Sequence, residues 1–156
     1  MRNSIGSRGE SIFEVLITKH TTSGRLFDPS FLGDKHPLID FHIDLLNHPY
    51  PAFFHASIKA TRRGYTAKKD RLKVSISKSE KITLAKCIVP VYIFGIDEKT
   101  EKGYLAPANN LASHLITSNI STLHEITEAN LLKLYKEVSA YWENSRKKTK
   151  FVSSFK

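Results

Sequence analysis

Two short segments of the chain alternate apolar and polar side chains. The first, residues 37–45 (PLIDFHIDL), carries Asp40 on its polar side, and the second, residues 53–59 (FFHASIK), ends at Lys59. Successive side chains of a strand point to opposite faces, so the polar residues of each segment share one face. If the two strands pair, an aspartate and a lysine lie on one surface. A metal-dependent phosphodiesterase uses such a pair, because a carboxylate holds a divalent cation and an ammonium group stabilises developing negative charge.

The same polar faces carry further candidate ligands. His42 and Asp44 follow Asp40 on the first segment, and His55 and Ser57 lie on the second. The two histidines, with Asp40 or Asp44, are candidates for a softer metal, since imidazole suits zinc, copper and nickel. The alternative is a strand face whose polar residues have no chemical role, and for Asp40 it is a buried carboxylate satisfied by hydrogen bonds.

Positive charge is concentrated after the second segment. The formal net charge is +9, and residues 59–86 contain ten basic and two acidic residues, which is a net +8. Such a concentration favours contact with phosphate backbones. The alternative is a solvated basic surface that only keeps the protein in solution. The candidate nucleic-acid contacts are Arg62, Arg63, Lys68, Lys69 and Arg71.

The composition describes one ordinary globular domain. The chain has 156 residues, 40% hydrophobic and 25% charged, which is enough to bury a core. The single cysteine, Cys87, excludes an internal disulfide and is interpreted as a small core residue. No apolar run reaches the roughly 18 residues of a membrane span, and residues 1–10 lack the hydrophobic region of a signal peptide. We therefore expect a cytoplasmic location and no membrane partner.

The apolar pattern also predicts the elements that would position the polar face. Helical spacing over residues 5–19 and 128–144 predicts an amphipathic helix near each end of the chain. Ser77 and Glu80 have the spacing of a capping box that opens another helix. The almost wholly apolar run at residues 88–94 predicts a central strand that is covered on both faces.

Turn signals predict the connections between these elements. Two prolines within residues 47–51 indicate a hairpin-like connection between the two polar-faced strands. The charged residues 97–103 predict a second hairpin, and residues 25–34 contain turn signals. The order helix, strand, strand, helix, strand, strand, helix predicts an α/β domain with a mixed central sheet flanked by helices. We place this domain at residues 1–145 and a basic tail at residues 146–156.

Several of these segments, in this order, resemble the PD-(D/E)xK, or restriction-endonuclease-like, nuclease superfamily, and within it a bacterial family of unknown function. The similarity covers most of the chain, and the order and spacing of short motifs carry it. These motifs are residues 9–13 (GESIF), 38–44 (LIDFHID), 54–64 (FHASIKATRRG), 88–98 (IVPVYIFGIDE) and 130–138 (NLLKLYKEV), with Tyr141 and Trp142.

The resemblance implies a restriction-endonuclease-like fold and a reaction site. Asp40 would bind a divalent metal, Mg²⁺ or Mn²⁺, and Ile58 would offer it a main-chain carbonyl. Lys59 would orient the attacking water or stabilise the charge that develops on the phosphate. Glu10 would be the acid that some members add from their first helix. The position of the second acidic ligand is occupied by Ser57, which is neutral.

The serine leaves two interpretations open. Either Asp44 or Glu10 replaces the missing ligand, or the protein has lost its metal and only binds. The first interpretation predicts hydrolysis of DNA phosphodiesters in host defence or DNA processing, with catalytic residues drawn from Asp40, Lys59, Glu10 and Ser57. The second predicts an inactive relative that binds nucleic acid or protein. An immunity or antitoxin partner is a third interpretation, and a homodimer is an alternative to a monomer.

Overall fold

A five-stranded mixed sheet forms the centre of the structure. The computed structural model describes residues 4–109, 118–148 and 151–155. The described strands, in chain order, are β1 (His20–Thr21), β2 (Gly24–Arg25), β3 (Phe27–Phe31), β4 (Phe41–Leu45), β5 (Phe53–Thr61), β6 (Arg71–Leu72), β7 (Val91–Asp97), β8 (Lys102–Pro107) and β9 (Ile120–Ser121). The described helices are α1 (Ser4–Ile17), α2 (Lys78–Ala85) and α3 (Glu128–Lys148), with a short 3-10 turn at Gly33–Lys35.

The strands of the central sheet lie in the order β3-β4-β5-β7-β8. Neighbours are antiparallel except β5 and β7, which are parallel. A parallel pair needs a long crossover, and residues 62–90, including α2, supply it. The predicted class, a single α/β domain with a mixed sheet between helices, is confirmed.

Each face of the sheet has its own apolar core. Helices α1 and α3 cover one face, where Phe13, Phe54, Phe94 and Val138 are fully buried. Helix α2 and the small β6–β9 sheet cover part of the other face with a second cluster that includes Leu84. Because side chains alternate along a strand, neighbouring residues of one strand belong to different cores.

The sequence patterns that predicted α2 and β7 are confirmed. The Ser77 side chain accepts a hydrogen bond from the Glu80 main-chain N–H, and the Glu80 side chain accepts one from the Ser77 N–H, which completes the capping box. Every residue of β7 is buried, as expected for a central strand. The strand begins directly after Pro90, which has no N–H to donate to a sheet.

Four boundaries differ from the predictions, and one of them is that of β7, which was predicted at residues 88–94 and is Val91–Asp97. Residues 25–34, predicted as turns, contain β3, because Pro29 is tolerated in a strand at the sheet edge. In the first polar-faced segment only Phe41–Leu45 is a strand, so Asp40 lies just before it. Helix α3 continues to Lys148, past the predicted helix end at residue 144. Residues 149, 150 and 156 of the predicted tail lie outside the described part.

No helix among the described residues has both the length and the apolar character required to cross a membrane.

Candidate functional site

The two polar-faced strands pair with each other, as predicted. Strands β4 and β5 are antiparallel, with Phe41 opposite Ala56 and His42 opposite His55. Phe41 and Ala56 belong to the core beneath α1 and α3, so the two histidines face the other side of the sheet. The polar side chains of both strands therefore share one face, which we call the polar face.

The Asp40 carboxylate is hydrogen-bonded to the β5 backbone. Its Oδ2 accepts a hydrogen bond from the Ile58 N–H at 2.6 Å. Burial raises the pKa of Asp40 above its usual value, and the Ile58 N–H and the nearby Lys59 charge offset only part of that rise. The N–H and C=O of a strand residue face the same neighbour, so the Ile58 carbonyl also faces the Asp40 side of β5.

Lys59 forms a short ion pair with an acid that the sequence did not predict for the site. Its Nζ lies 2.6 Å from Oε1 of Glu80, and both side chains are less than a quarter exposed. The other oxygen of Glu80 accepts the Ser77 N–H at 2.8 Å. Burial raises the pKa of Glu80, but the hydrogen bonds from Lys59 and Ser77 outweigh that effect, so the pKa lies below its usual value.

Two carboxylates and one lysine therefore meet at this end of the polar face. The negative charge of Glu80 contributes to the raised pKa of Asp40 and the positive charge of Lys59 opposes it, as expected for two charges near that carboxylate. The capping box gave Glu80 a structural role in the sequence. Its role beside Lys59 depends on the crossover that returns α2 to the end of β5, and no local pattern encodes that contact.

Helix α1, which carries Glu10, packs on the opposite face of the sheet. A Cβ atom on Gly9 would lie 2.3 Å from the Cβ of Ala60, so the helix crosses β5 at this glycine. Ala60 and Lys59 are consecutive in β5 and point to opposite faces. The predicted contribution of Glu10 to the site stays a prediction, and the acid that contacts Lys59 is Glu80.

Asp44 and Ser57 have different surroundings from those the sequence suggested. Asp44 lies four residues beyond Asp40, about 13 Å along an extended chain, and two ligands of one hard cation lie within about 5 Å of each other. Asp44 therefore does not share an ion with Asp40; instead its Oδ1 lies 3.1 Å from Nε2 of His42. Ser57 is on the polar face by strand alternation, but it is only 2% exposed.

A basic groove begins beside the ion pair. Lys59, Arg62 and Arg63 line a cavity of about 340 Å³. Arg63 also lines an adjoining cavity of about 720 Å³, together with Lys73 and Glu80. We call the two cavities together the basic groove. Two of the five predicted contacts, Arg62 and Arg63, are therefore at the site, and Lys73 joins them although it was not among the five.

The other predicted contacts are on neighbouring surface. Lys68 and Lys69 lie in the exposed loop before β6, and Lys69 has a left-handed backbone with a φ of 57°. Arg71 pairs with Ser121 in the β6–β9 sheet. None of these three is in the lining of the basic groove as the described residues form it. Their contact with nucleic acid stays a prediction.

The donor set at the ion pair fits a hard cation better than a soft one. The two carboxylates, Asp40 and Glu80, and the Ile58 carbonyl are oxygen donors, and Mg²⁺ is commonly bound through one or two carboxylates while it keeps several waters. The described residues contain no group of three or more His, Cys, Asp or Glu side chains arranged to hold a metal. Mg²⁺ or Mn²⁺ therefore fits only as a partly hydrated ion.

Comparison of the chain with protein-family models, curated proteins and solved structures found no match. The resemblance to the PD-(D/E)xK superfamily therefore stays a prediction, and the chemistry of the polar face has to be judged from its geometry.

Proposed function

We propose that the protein is a metal-dependent nuclease that hydrolyses DNA phosphodiesters at Asp40, Glu80 and Lys59. The observation that carries this proposal is the 2.6 Å contact between Lys59 and Glu80 at the entrance to the basic groove. It brings an acid to the lysine even though Ser57 occupies the position where the superfamily has one. Host defence or DNA processing in the cytoplasm is the setting we propose.

Each residue of the site has a chemical task in this proposal. Asp40, Glu80 and the Ile58 carbonyl would hold Mg²⁺ or Mn²⁺, which when bound polarises a phosphate and lowers the pKa of a bound water. Lys59 would place positive charge where the phosphate gains negative charge. Its present partner, Glu80, keeps the ammonium group in the groove, since the pair is largely shielded from solvent.

Arg62 is held in a position that suits phosphate binding. Its Nε donates to Oε2 of Glu98 at 2.9 Å, and the Glu98 side chain is only 2% exposed while that of Arg62 is about half exposed. A guanidinium group has five N–H donors, so the Glu98 contact leaves its terminal nitrogens able to bind a phosphate in a bidentate manner. The buried Glu98 carboxylate lies on the α1 side of β5, where its Oε1 would be 4.0 Å from a Cβ atom on Gly9. It therefore holds Arg62 at the rim of the groove nearest α1.

Cleavage of plasmid DNA tests this proposal. We expect nicking that requires Mg²⁺ or Mn²⁺ and falls by about 100-fold or more in Asp40→Ala and in Lys59→Ala. Asp34→Ala and Lys133→Ala are matched controls, because both side chains are exposed and outside the site; they should retain wild-type activity. Equal cleavage by Asp40→Ala and the wild type would remove the proposed site.

A second candidate function is binding without cleavage. It is favoured by one observation: both oxygens of Glu80 already accept hydrogen bonds, from Lys59 and from Ser77. Gel shifts that persist while no metal concentration produces cleavage would overturn the nuclease proposal and support the binding module. Binding that does not weaken as salt rises would contradict backbone contact in either case.

A further inference from the structure

His42 and His55 converge on one point above the polar face. They stand directly opposite each other on β4 and β5, where opposed Cβ atoms are typically about 4.5–5.5 Å apart. Nδ1 of His42 lies 3.2 Å from Nε2 of His55. Two nitrogens bound to one ion at 2.0–2.1 Å would lie about 2.9 Å apart at a right angle and about 3.4 Å apart at a tetrahedral angle. The observed separation falls between these values.

Asp44 orients one of these rings. Its Oδ1 lies 3.1 Å from Nε2 of His42, so the carboxylate accepts the Nε2–H and leaves the lone pair of Nδ1 directed at His55. Histidines that bind metals usually donate their second ring N–H to a carboxylate or carbonyl in this way. The Asp44 carboxylate is thus a positioning group for His42 and does not itself need to reach an ion.

We propose that His42 and His55 form a binding site for a borderline transition-metal ion, Zn²⁺, Ni²⁺ or Cu²⁺, oriented by Asp44. Imidazole nitrogens select these ions over Mg²⁺. The side chains of His42 and Asp44 are 30% and 48% exposed, so an ion can enter from solvent and complete its coordination with water. When it binds, the proton on His55 Nε2 passes through solvent to Nδ1, and the free lone pair of Nε2 then binds the ion.

This site does not depend on the proposed nuclease function. Its ligands are imidazoles from β4 and the first half of β5, whereas the phosphodiester site uses oxygen donors and Lys59 from the second half of β5. Metal binding at the histidines would stand even if Asp40 and Lys59 cleave nothing, and DNA cleavage would stand even if the histidines bind no metal.

The chain contains a natural reporter next to the histidines. Trp142 is the single tryptophan, and its ring centroid lies 4.7 Å from that of Phe53. The Phe53 ring in turn lies 4.7 Å from His42 and 5.4 Å from His55. A Cu²⁺ ion held by the histidines would therefore be close enough to quench the Trp142 fluorescence.

Titration of the full chain, purified without a histidine tag, tests the site. We expect saturable quenching of Trp142 by Cu²⁺ that is competed by Zn²⁺ and is unaffected by millimolar Mg²⁺. His42→Ala and His55→Ala should each abolish the saturable phase. Asp44→Asn should weaken it by about 10- to 100-fold. His20→Ala is the matched control, because that histidine is exposed in the separate β1–β2 sheet.

Folding of the variants is checked by urea unfolding, and His55→Gln, which keeps a hydrogen-bonding side chain, provides a second test of the same ligand. Retained saturable quenching in both His42→Ala and His55→Gln would overturn the proposal. A linear, unsaturated response of the wild type, which indicates collisional quenching, would also overturn it. Calorimetric binding of Zn²⁺ by the wild type and not by His55→Gln would support it.

Discussion

The two faces of the central sheet use alternate residues of the same strands for different purposes. On β5, Phe54 and Ala56 are fully buried beneath α1 and α3, whereas His55 and Lys59 are part of the polar face. The first face is covered by α1 and α3 and packed with buried aromatic side chains. The second face is only partly covered by α2 and the β6–β9 sheet. Residues that stabilise the fold and residues that could bind or react with a ligand therefore alternate along the strand. Substitutions at neighbouring positions can thus distinguish effects on stability from effects on function.

Neighbouring substitutions on β5 should show the largest contrast. Phe54→Ala removes a fully buried ring and is expected to lower the free energy of unfolding by about 3–5 kcal/mol. His55→Ala, one residue away on the polar face, should cost about 1 kcal/mol, the value of one hydrogen bond. Urea unfolding of both variants measures the difference, and equal losses would contradict the division between the faces.

Alanine substitutions at two glycines of α1 should change the stability of the protein by smaller amounts and in opposite directions. In Gly9→Ala the new Cβ would meet Ala60 at 2.3 Å, and such overpacking typically costs about 1–3 kcal/mol. In Gly6→Ala the new Cβ has nothing within 4 Å, so the lower chain entropy of alanine should stabilise the helix by up to about 1 kcal/mol. Thermal unfolding that shifts in the same direction for both would show that α1 does not approach β5 as described.

Features that depend on residues close together in the sequence could be predicted, and features that depend on tertiary contacts could not. Buried strand β7, the α2 capping box and the pairing of β4 with β5 depend on local patterns, and the sequence predicted them. Strand β3 was missed because Asp28-Pro29 is a strong turn signal, and only its edge position explains why Pro29 is tolerated. The sequence around a strand does not show whether that strand will lie at the edge of the sheet, where a proline is tolerated.

The candidate site could likewise be predicted only in part. Alternation alone placed Asp40 and Lys59 on one face. Glu80 could not be assigned to them, because it lies 21 residues from Lys59 and reaches it through the crossover between parallel strands. Asp44 was on the predicted face but four residues from Asp40, and strand rise separates the two acids.

Stability at different pH values should report the Lys59–Glu80 pair. The pKa of Glu80 is depressed in the folded protein, so its contribution is complete above the usual value of 4.5 and is lost as pH falls through the folded-state pKa. Glu80→Gln should therefore cost about 1–2 kcal/mol at pH 7, and the wild type and variant should converge in acid. A constant difference between pH 7 and pH 3 would argue against the pair.

The smallest predicted effect is on the salt dependence of DNA binding, which should differ between a lysine of the basic groove and a lysine on the opposite face of the sheet. Lys73 lines the basic groove, so Lys73→Ala should weaken DNA binding and reduce the slope of log K against log salt by about 0.9 for duplex DNA. Lys136 is exposed on α3, which covers the other face, and Lys136→Ala should leave the slope unchanged. Fluorescence anisotropy at several salt concentrations measures both, and identical slopes would place the DNA elsewhere.

The most direct test asks which helix supplies the second acid. Glu80 of α2 contacts Lys59 on the polar face, whereas Glu10 belongs to α1, which packs on the opposite face. Metal-dependent DNA cleavage by Glu80→Gln and Glu10→Gln should be compared, with DNA binding measured in parallel. We predict that Glu80→Gln loses about 100-fold or more in cleavage rate and retains binding, while Glu10→Gln stays within a few-fold of the wild type. Loss of cleavage in Glu10→Gln with full activity in Glu80→Gln would contradict this account.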